Sequence, residues 1–446
     1  CALPICFLMS NLKFKVQPGG QLNGTIRVPG DKSISHRSIM LGSLAEGTTE
    51  VSGFLQGEDS LATLNAFRQM GVQIEGPSDE GRVTVHGVGM DGLQPSDQAL
   101  DLGNSGTSMR LLSGLLSGQA FDVTLEGDES LSGRPMRRVT DPLAEMGAII
   151  ETEADGTAPL KIRGGAPLKG FHYEMPMASA QVKSCLLLAG LYAEGETCVT
   201  EPAPTRDHTE RMLNGFGVAV TRSGDKICLQ GGGKLQAAEV DVPADISSTA
   251  FFLVGASIAS GSDLTLEHVG INPTRIGVIN ILRAMGANIE VLNERVSGGE
   301  PVADLRVQSA ALHGIEIPVD QVPLAIDEFP ALFVAAACAE GETTLRGAEE
   351  LRVKESDRIQ VMADGLTTLG IDAKPTADGI VIQGGTMGGG TVYSHHDHRI
   401  SMSFAMAALC ATAPIEIEGC DNVNTSFPGF SDLAARVGLN IEAYSS

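Results

Sequence analysis

The chain has 446 residues, of which 42% are hydrophobic and 19% charged, and its formal net charge is −24. This composition is typical of a globular protein of two or three domains and excludes a disordered chain. The negative charge, the absence of tryptophan and the 4% aromatic content argue against a surface for nucleic acid or anionic membrane. An anionic small substrate would therefore need local basic pockets.

The first eight residues, Cys1–Leu8, are apolar, but they carry no basic region and precede Met9. We interpret residues 1–8 as a leader or vector-derived segment and Met9 as the native start. The remaining six cysteines show neither a CxxC pair nor the spacing of a metal site, so we expect scattered reduced thiols. These cysteines are Cys185, Cys198, Cys228, Cys338, Cys410 and Cys420.

One pattern occurs six times along the chain. A helix-like stretch ends in an apolar residue, a glycine follows, and a short strand-like run comes next. Glycine at this place suits the left-handed conformation that ends many helices. Successive copies lie between 68 and 84 residues apart, and their glycines are Gly71, Gly147, Gly217, Gly286, Gly370 and Gly438.

A second helix, followed by its own strand, occurs in the same frame. The unit is therefore roughly β-α-β-α-β-β in about 70 residues, which is too long for helical repeat arrays. Six such units exceed one hydrophobic core, so they predict two domains of three units each. The residues alone place the border near Val240–Ala244, and they make Asn293–Ala303, within the longest spacing, a surface loop.

The first helix of each unit begins with a cluster of small, polar or charged residues. Helix N-termini expose unpaired N–H groups and the positive end of the dipole, which suits anions. Simple N-capping explains any single cluster equally well. Six clusters in one phase, several with Lys or Arg, favour a shared anion pocket. They occupy residues 29–33, 103–107, 178–181, 244–248, 326–330 and 396–399.

The second helices carry cations near their starts, namely Arg134, Arg206, Arg275, and Lys354 with Arg358. A cation at a helix N-terminus opposes the dipole, so its repetition indicates a bound phosphate or carboxylate. A solvated charge balanced by neighbouring acids explains each arginine by itself. For Lys354, Glu355 and Arg358 the two interpretations are an exposed ion-pair ladder, or a carboxylate beside two cations that is ready to move a proton.

Other motifs carry no function. The chain has no Walker A loop and no GxGxxG fingerprint. The run His395–His398 lacks a second ligand cluster, so it does not support a metal site. We therefore predict no metal and no cofactor.

Several long strings resemble the signatures of the EPSP synthase family, enzymes that join phosphoenolpyruvate to shikimate 3-phosphate. The resemblance covers nearly the whole chain after the leader. Residues 175–191 and 205–210 are more similar to the divergent bacterial branch of the family than to its enterobacterial and plant members. The strings are Pro29–Arg37, Leu102–Arg110, Arg352–Arg358 and Asp397–Arg399.

The resemblance implies an α/β fold of two inside-out domains, each of three βαβαββ repeats, with the active site in the interdomain cleft. It also moves the N-terminal strand to the C-terminal half. Domain 1 then comprises residues 9–27 plus 243–446, and domain 2 comprises residues 28–242. The implied protein is a cytoplasmic monomer that acts on the two small substrates, with glyphosate as an inhibitor and no nucleic-acid or membrane partner.

The resemblance also implies site residues, carried over by position. Asp327 would take the proton of the attacking hydroxyl, Glu355 would protonate the methylene carbon, and Lys32 would complete the catalytic set. Shikimate 3-phosphate would be bound by Lys32, Ser33, Arg37, Ser179, Ala180, Gln181, Arg206, Asp327 and Lys354. Phosphoenolpyruvate would be bound by Lys32, Asn104, Gly106, Arg134, Gln181, Arg358 and Arg399.

The chain departs from the common family pattern at three places. No lysine occurs near Asn424–Pro428, where many members have one that reaches phosphoenolpyruvate. Ala180 replaces a second serine, so only its backbone N–H remains for the substrate phosphate, and Leu111 replaces a proline. Gly106 keeps the small residue that leaves room for glyphosate.

Three alternatives compete with this function. UDP-N-acetylglucosamine enolpyruvyl transferases carry Lys-Asn near the N-terminus and a loop cysteine, whereas Ser33 follows Lys32 here and no cysteine lies between Cys6 and Cys185. RNA 3′-terminal phosphate cyclases need nucleotide chemistry that this sequence does not show. A non-catalytic anion-binding repeat protein has no use for both Asp327 and Glu355, which would repel its ligand.

Overall fold

The structure is a computed structural model that describes residues 12–445, so the predicted leader 1–8 and Met9 lie outside the described residues. The described chain divides into two compact units. Unit 1 comprises residues 12–28, 244–294 and 303–445, and unit 2 comprises Pro29–Pro243 and Arg295–Val302. No helix in residues 12–445 has the length and apolar character needed to cross a membrane.

The α-helices are α1 Lys32–Leu44, α2 Glu58–Gln69, α3 Gly106–Ser117, α4 Glu129–Ser132, α5 Arg137–Glu145, α6 Ala180–Gly190, α7 His208–Gly215, α8 Ile246–Ile258, α9 Gly277–Ala284, α10 Phe329–Cys338, α11 Arg358–Thr368, α12 His398–Ala407 and α13 Phe430–Val437. Short 3₁₀ turns occupy Val319–Gln321, Glu349–Val353, Ala408–Cys410 and Asp421–Thr425.

The strands are β1 Leu12–Val16, β2 Asn23–Ile26, β3 Glu46–Ser52, β4 Gln73–Glu75, β5 Val83–Val88, β6 Leu100–Asp101, β7 Val123–Glu126, β8 Ile149–Glu151, β9 Leu160–Arg163, β10 His172–Glu174, β11 Glu196–Thr200, β12 Val220–Ser223, β13 Lys226–Gln230, β14 Glu239–Asp241, β15 Asp263–Gly270, β16 Asn288–Ser297, β17 Glu300–Gln308, β18 Glu342–Leu345, β19 Asp372–Pro375, β20 Ile380–Gln383, β21 Gly390–Tyr393, β22 Ile415–Glu418 and β23 Ile441–Ser445.

Unit 2 contains three four-stranded sheets with one shared plan. Their strand orders are β14-β3-β5-β4, β6-β7-β9-β8 and β10-β11-β13-β12. In each sheet the first two strands are parallel and the remaining pairs are antiparallel. Strand β14, which follows the third repeat in the chain, is the parallel partner of β3 and so completes the sheet of the first repeat.

Unit 1 repeats this plan with small differences. Its sheets have the orders β21-β22-β1-β23, β16-β17-β15-β2 and β18-β20-β19. Beside β18 the parallel edge strand is reduced to the isolated bridges His313↔Glu340 and Glu316↔Thr344. The N-terminal strand β1 pairs with β22 and β23, so the chain's first and last segments share one sheet.

One helix from each repeat is buried on nearly all sides, namely α1, α3 and α6 in unit 2 and α8, α10 and α12 in unit 1. Few faces of these helices meet water, so apolar residues occur around most of each helix and the polar residues among them are buried too. Helices α3 and α6 run parallel, since Thr107 bonds Gln181 near their starts and Gly118 lies against Tyr192 near their ends. The starts of these two helices therefore lie at one end of unit 2.

The six glycines that define the sequence repeat all adopt positive φ, between 86° and 123°. Each stands at the end of a helix, where only glycine enters the left-handed region without a steric penalty. This confirms the repeat pattern and its phase.

The prediction of a loop at Asn293–Ala303 is wrong, although most residues of the segment are exposed as expected. Strands β16 and β17 form a hairpin there, and its turn is Gly298-Gly299 with both φ values positive. Val291 on β16 and Val302 on β17 supply β-branched residues that favour an extended chain. The polar residues between them gave the segment the composition of a loop.

The prediction of scattered free thiols is also wrong for one pair. Cys198 on β11 and Cys228 on β13 are direct cross-strand partners, and they form a disulfide across 30 residues of sequence. Spacing along the chain gave no sign of this pairing because strand register decides it. Among the described residues, Cys185, Cys338, Cys410 and Cys420 are free.

Reducing the Cys198–Cys228 disulfide in the purified protein is expected to lower the free energy of unfolding by about 3–4 kcal/mol, because the unfolded chain regains the entropy of a 30-residue loop. Urea denaturation with and without dithiothreitol measures this difference. The Cys228→Ser variant should unfold like the reduced protein under both conditions. Equal stability of the wild-type protein with and without reductant would contradict the prediction.

Candidate active site

The start of α1 carries the first group of predicted site residues. Asp31 caps the helix by accepting a hydrogen bond from the Ile34 N–H at 2.9 Å. Lys32, the first residue of the helix, places its Nζ 2.7 Å from Oδ2 of Asp59 on α2. This acid orients the ammonium and balances its charge, so Lys32 is held at the positive end of the helix.

Arg37 lies one turn further along α1 and is almost fully buried. Its Nε donates to Thr209 Oγ1 and its Nη2 donates to Ser184 Oγ, both at 2.7 Å. Nη1 donates to the Ser33 carbonyl at 2.9 Å. The guanidinium thus joins the starts of α1 and α7 to Ser184 within α6.

Charged neighbours change the pKa of Arg37. Burial lowers this pKa to about 10, Glu210 and Asp31 oppose that change, and the positive charge of Arg206 lowers it further.

At the start of α3, Ser105 is the N-cap and Gly106 the first helical residue. Arg134 donates from Nη2 to Asn104 Oδ1 at 2.7 Å, and Asn104 in turn donates to Asp128 at 2.7 Å. A Cβ added to Gly106 would stand 3.2 Å from Arg134 Nη1. Gly106 therefore keeps open the space beside this guanidinium.

At the start of α6, Ser179 caps the helix through its side chain, and Ala180 offers only its backbone. Gln181 accepts from Arg110 Nη1 at 2.5 Å and donates to Thr107 Oγ1 at 3.1 Å. Through these two bonds, Arg110 and Thr107 on α3 fix the orientation of the Gln181 amide. The predicted substrate-binding residue Gln181 thereby joins the start of α6 to α3.

Unit 1 holds a second group, which centres on Arg358. Its Nε donates to Asp397 Oδ2 at 2.8 Å, its Nη1 to Asp327 Oδ1 at 3.2 Å, and its Nη2 to Glu355 Oε2 at 2.7 Å. Lys354 Nζ lies 3.6 Å from the same Asp327 oxygen. One guanidinium therefore serves three carboxylates, and a second cation is close by.

The Arg358 side chain is 1% exposed, which rules out the exposed ion-pair ladder. Burial by itself lowers the pKa of Arg358, but the charges of Asp397, Glu355 and Asp327 outweigh burial and raise it above its ordinary value. The cation is therefore permanent. It stabilises carboxylates that would otherwise repel one another in a poorly solvated place.

The three carboxylates differ in their exposure to solvent, and this difference indicates different roles. Asp397 is fully buried and caps α12 by accepting from the Arg399 N–H at 2.9 Å, so it is structural. Asp327 and Glu355 are 14% and 29% exposed, and both can reach a bound molecule. Two accessible carboxylates on one cation are a suitable pair for separate proton transfers.

Arg399 stands at the start of α12, beside this group, and its backbone N–H is bound by Asp397. Its side chain makes no hydrogen bond or ion pair with the described part of the chain. A half-buried guanidinium of this kind is available to an anionic ligand.

Arg275, another cation predicted near a second helix, has a structural environment instead. It is buried, its Nη2 donates to Ser247 at 2.6 Å, and it lies 3.2 Å from Asp245 and 3.6 Å from Glu328. Its charge is balanced by these acids, as the alternative interpretation of the sequence allowed, but the side chain is buried and not solvated as that interpretation expected.

Stability should depend on pH through His36, which is fully buried with Nδ1 2.7 Å from Thr63 Oγ1. Burial, then Lys32 and Arg37, lower its pKa well below the usual 6.5. Below about pH 6.5, His36 therefore binds a proton in the unfolded chain but not in the folded protein. Protonation of His36 leaves the free energy of unfolding unchanged above about pH 6.5 and lowers it by up to about 1.4 kcal/mol per pH unit below that pH.

Urea denaturation between pH 5 and 7 tests the role of His36. The His36→Asn variant should lose this part of the slope, whereas a variant of exposed His172, His172→Gln, should keep it. An unchanged slope in His36→Asn would contradict the assignment.

Sequence reasoning placed the predicted residues at helix starts but missed their partners. Asp59, Arg110 and Asp397 orient Lys32, Gln181 and Arg358, respectively. It also missed Lys183, a lysine in the mainly apolar helix α6. A charged residue among the apolar residues of this helix was the available signal, because such residues need a buried partner.

The comparisons with known proteins agree with this geometry. The family model described as EPSP synthase (3-phosphoshikimate 1-carboxyvinyltransferase) matches residues 16–433. The chain belongs to the EPSP synthase family. A 3-phosphoshikimate 1-carboxyvinyltransferase from Methylococcus capsulatus is 71% identical over 429 residues, which are 96% of this chain and 98% of that protein. Another, from Alkalilimnicola ehrlichii, is 70% identical over 96% of both chains.

Solved structures support the same family. The EPSP synthase of Acinetobacter baumannii is 61% identical, with a TM-score of 0.89 over 97% of this chain and all of that one. The enolpyruvyl transferase NikO of Streptomyces tendae, at 16% identity and a TM-score of 0.79, shows likeness of fold alone. The predicted family, α/β fold class and enzyme class are confirmed, and the three alternative functions are not favoured.

Proposed function

We propose that the chain transfers the enolpyruvyl group of phosphoenolpyruvate to the 5-hydroxyl of shikimate 3-phosphate and releases phosphate. The observation that carries this proposal is the shared cation Arg358, which holds two accessible carboxylates, Asp327 and Glu355. An enolpyruvyl transfer needs one group to accept the hydroxyl proton and one to protonate carbon. Membership of the EPSP synthase family supports the same reaction.

The charges and hydrogen-bonding groups of the site residues assign each residue to one or both substrates. The phosphate of shikimate 3-phosphate is bound by Arg206 and by the helix starts that carry Ser179, Ala180 and Gln181, with Lys32, Ser33 and Arg37. Asp327 and Lys354 bind its hydroxyls. Phosphoenolpyruvate is bound by Lys32, Asn104, Gly106, Arg134, Gln181, Arg358 and Arg399. Cations and helix N-termini are the groups that hold phosphate and carboxylate most strongly.

The reaction proceeds by addition and then elimination. The 5-hydroxyl oxygen bonds to C2 of phosphoenolpyruvate, Asp327 takes the hydroxyl proton, and Glu355, protonated before this step, gives its proton to the methylene carbon. The product of this step is a tetrahedral intermediate with a methyl group. Glu355 then removes a methyl proton, and phosphate leaves C2 with its bonding electrons, which restores the double bond.

Phosphate release from phosphoenolpyruvate, with and without shikimate 3-phosphate in metal-free buffer, tests the function. Release only when both substrates are present supports enolpyruvyl transfer without a metal. Tight binding of shikimate 3-phosphate without any release would instead indicate a non-catalytic binding protein.

We also propose that glyphosate inhibits the enzyme, because the open space beside Arg134 at Gly106 suits a small anion. Activity should fall in millimolar glyphosate. The Gly106→Ala variant should be less sensitive, since its Cβ would meet Arg134 at 3.2 Å. Unchanged wild-type activity in millimolar glyphosate would refute the proposal.

The protein is further proposed to be a monomer and to act in the cytoplasm, where both phosphorylated substrates would be supplied. Light scattering of the purified protein gives its mass, for which 46.5 kDa is expected. Fractionation of the source cells tests the compartment.

A further inference from the structure

The segment that carries Arg206 connects β11 to α7. It runs from Glu201, directly after the strand, to Asp207, directly before the helix. No regular secondary structure holds it. Its conformation must therefore come from side chains that bind its backbone.

One buried carboxylate binds this segment at two points. Glu201 Oε2 accepts from the Thr205 backbone N–H at 3.3 Å and from Thr205 Oγ1 at 2.7 Å. The same oxygen accepts from Lys183 Nζ at 3.0 Å, and Lys183 also reaches the Thr205 carbonyl at 3.4 Å. Both peptide groups of Thr205 are thus fixed, and Thr205 directly precedes Arg206.

The charges around this contact are balanced. Lys183 is fully buried and lies 2.7 Å from Glu210 on α7, while Arg222 Nη2 lies 2.5 Å from the second oxygen of Glu201. Two cations therefore face two carboxylates. A buried ion pair gains little net stability over apolar side chains of equal size, because desolvation offsets the attraction. What it supplies here is a definite position for the backbone.

We propose that Lys183 and Glu201 are positioning residues, which fix Thr205 and thereby hold Arg206 in the orientation that binds the phosphate of shikimate 3-phosphate. This inference rests on the proposed role of Arg206. The side chains of Lys183 and Glu201 are 0% and 1% exposed, so in this proposal they act on the substrate through the Thr205 backbone and hydroxyl and not by contact.

The sharpest test is Thr205→Val, which removes one hydrogen bond to Glu201 and keeps every charge. The dissociation constant for shikimate 3-phosphate, measured by titration calorimetry on the full chain, should rise about 5- to 10-fold. The KM for phosphoenolpyruvate and kcat at saturation should stay within about twofold of wild type.

A matched control comes from the preceding strand. Thr197 on β11 is also buried, and its hydroxyl has no hydrogen-bond partner in the described part of the chain. Thr197→Val makes the same chemical change without loss of a bond, so its dissociation constant should equal that of wild type.

Glu201→Gln should weaken binding more than Thr205→Val, because an uncharged amide cannot balance the charge of Lys183. We expect at least about a tenfold rise in the dissociation constant. Its fold is checked by circular dichroism before binding is measured.

A double-mutant cycle separates positioning from general destabilisation. In the Arg206→Ala background, Thr205→Val should have no further effect on binding, since the guanidinium that it positions is absent. Equal effects in both backgrounds would overturn the proposal, as would wild-type binding by folded Thr205→Val and Glu201→Gln. If Arg206→Ala alone leaves binding unchanged, the proposed role of Arg206 fails instead.

Discussion

Turnover should fall by about 100-fold or more in both Asp327→Asn and Glu355→Gln, while the KM values change much less. Each variant keeps the shape of the side chain and its place beside Arg358, but neither amide can accept or deliver the required proton. Proton transfer by a positioned side chain contributes roughly 10²- to 10⁴-fold to rate, which sets the expected size.

The assay is steady-state phosphate release with both substrates. Asp364 is a suitable control position because it is a carboxylate on the exposed face of α11, which also carries Arg358. Asp364→Asn should be fully active. Near-normal turnover in Asp327→Asn or Glu355→Gln would remove that residue from the mechanism.

The methyl intermediate can also be tested. In D₂O the wild-type enzyme should place deuterium on the methylene carbon, because the intermediate gains one proton from Glu355 and loses another. Product without deuterium would contradict the addition step.

The second large effect is expected for Arg358→Met, which should lose about 3–5 kcal/mol of unfolding free energy together with most of its activity. The variant leaves Asp397, Asp327 and Glu355 close together without their common cation. Asp397 is fully buried and cannot turn to water. The cost is therefore that of uncompensated buried charge, and it is larger than the value of an ordinary ion pair.

Arg358→Lys tests whether charge alone is sufficient. Lysine keeps the charge but lacks the planar fork that reaches three acids at once, so we expect intermediate stability and low activity. Arg306 is a useful control, because it bonds Asp263 through Nε and Nη2 on the exposed surface. Arg306→Met should cost less than about 1 kcal/mol. A loss of under 1 kcal/mol in Arg358→Met, measured by urea denaturation, would contradict the account of the cluster.

The sequence by itself determined the repeat, the phase of its helices and the family. These depend on local chemistry: glycine takes positive φ at six helix ends, and polar residues begin six buried helices. The strings around Lys32, Gly106 and Arg358 were specific enough to predict the reaction. The same local patterns placed the candidate site residues at helix starts.

Only the tertiary structure decided which charges are buried and which residues meet. Sequence spacing made Glu355 and Arg358 neighbours on a helix, but Asp327 and Asp397, which come from distant segments, bury the guanidinium. Strand register joined Cys198 to Cys228. The buried contact of Lys183 with Glu201 has the same origin. Each depends on contacts between segments far apart in the chain, whose geometry follows from packing and not from local conformational preference.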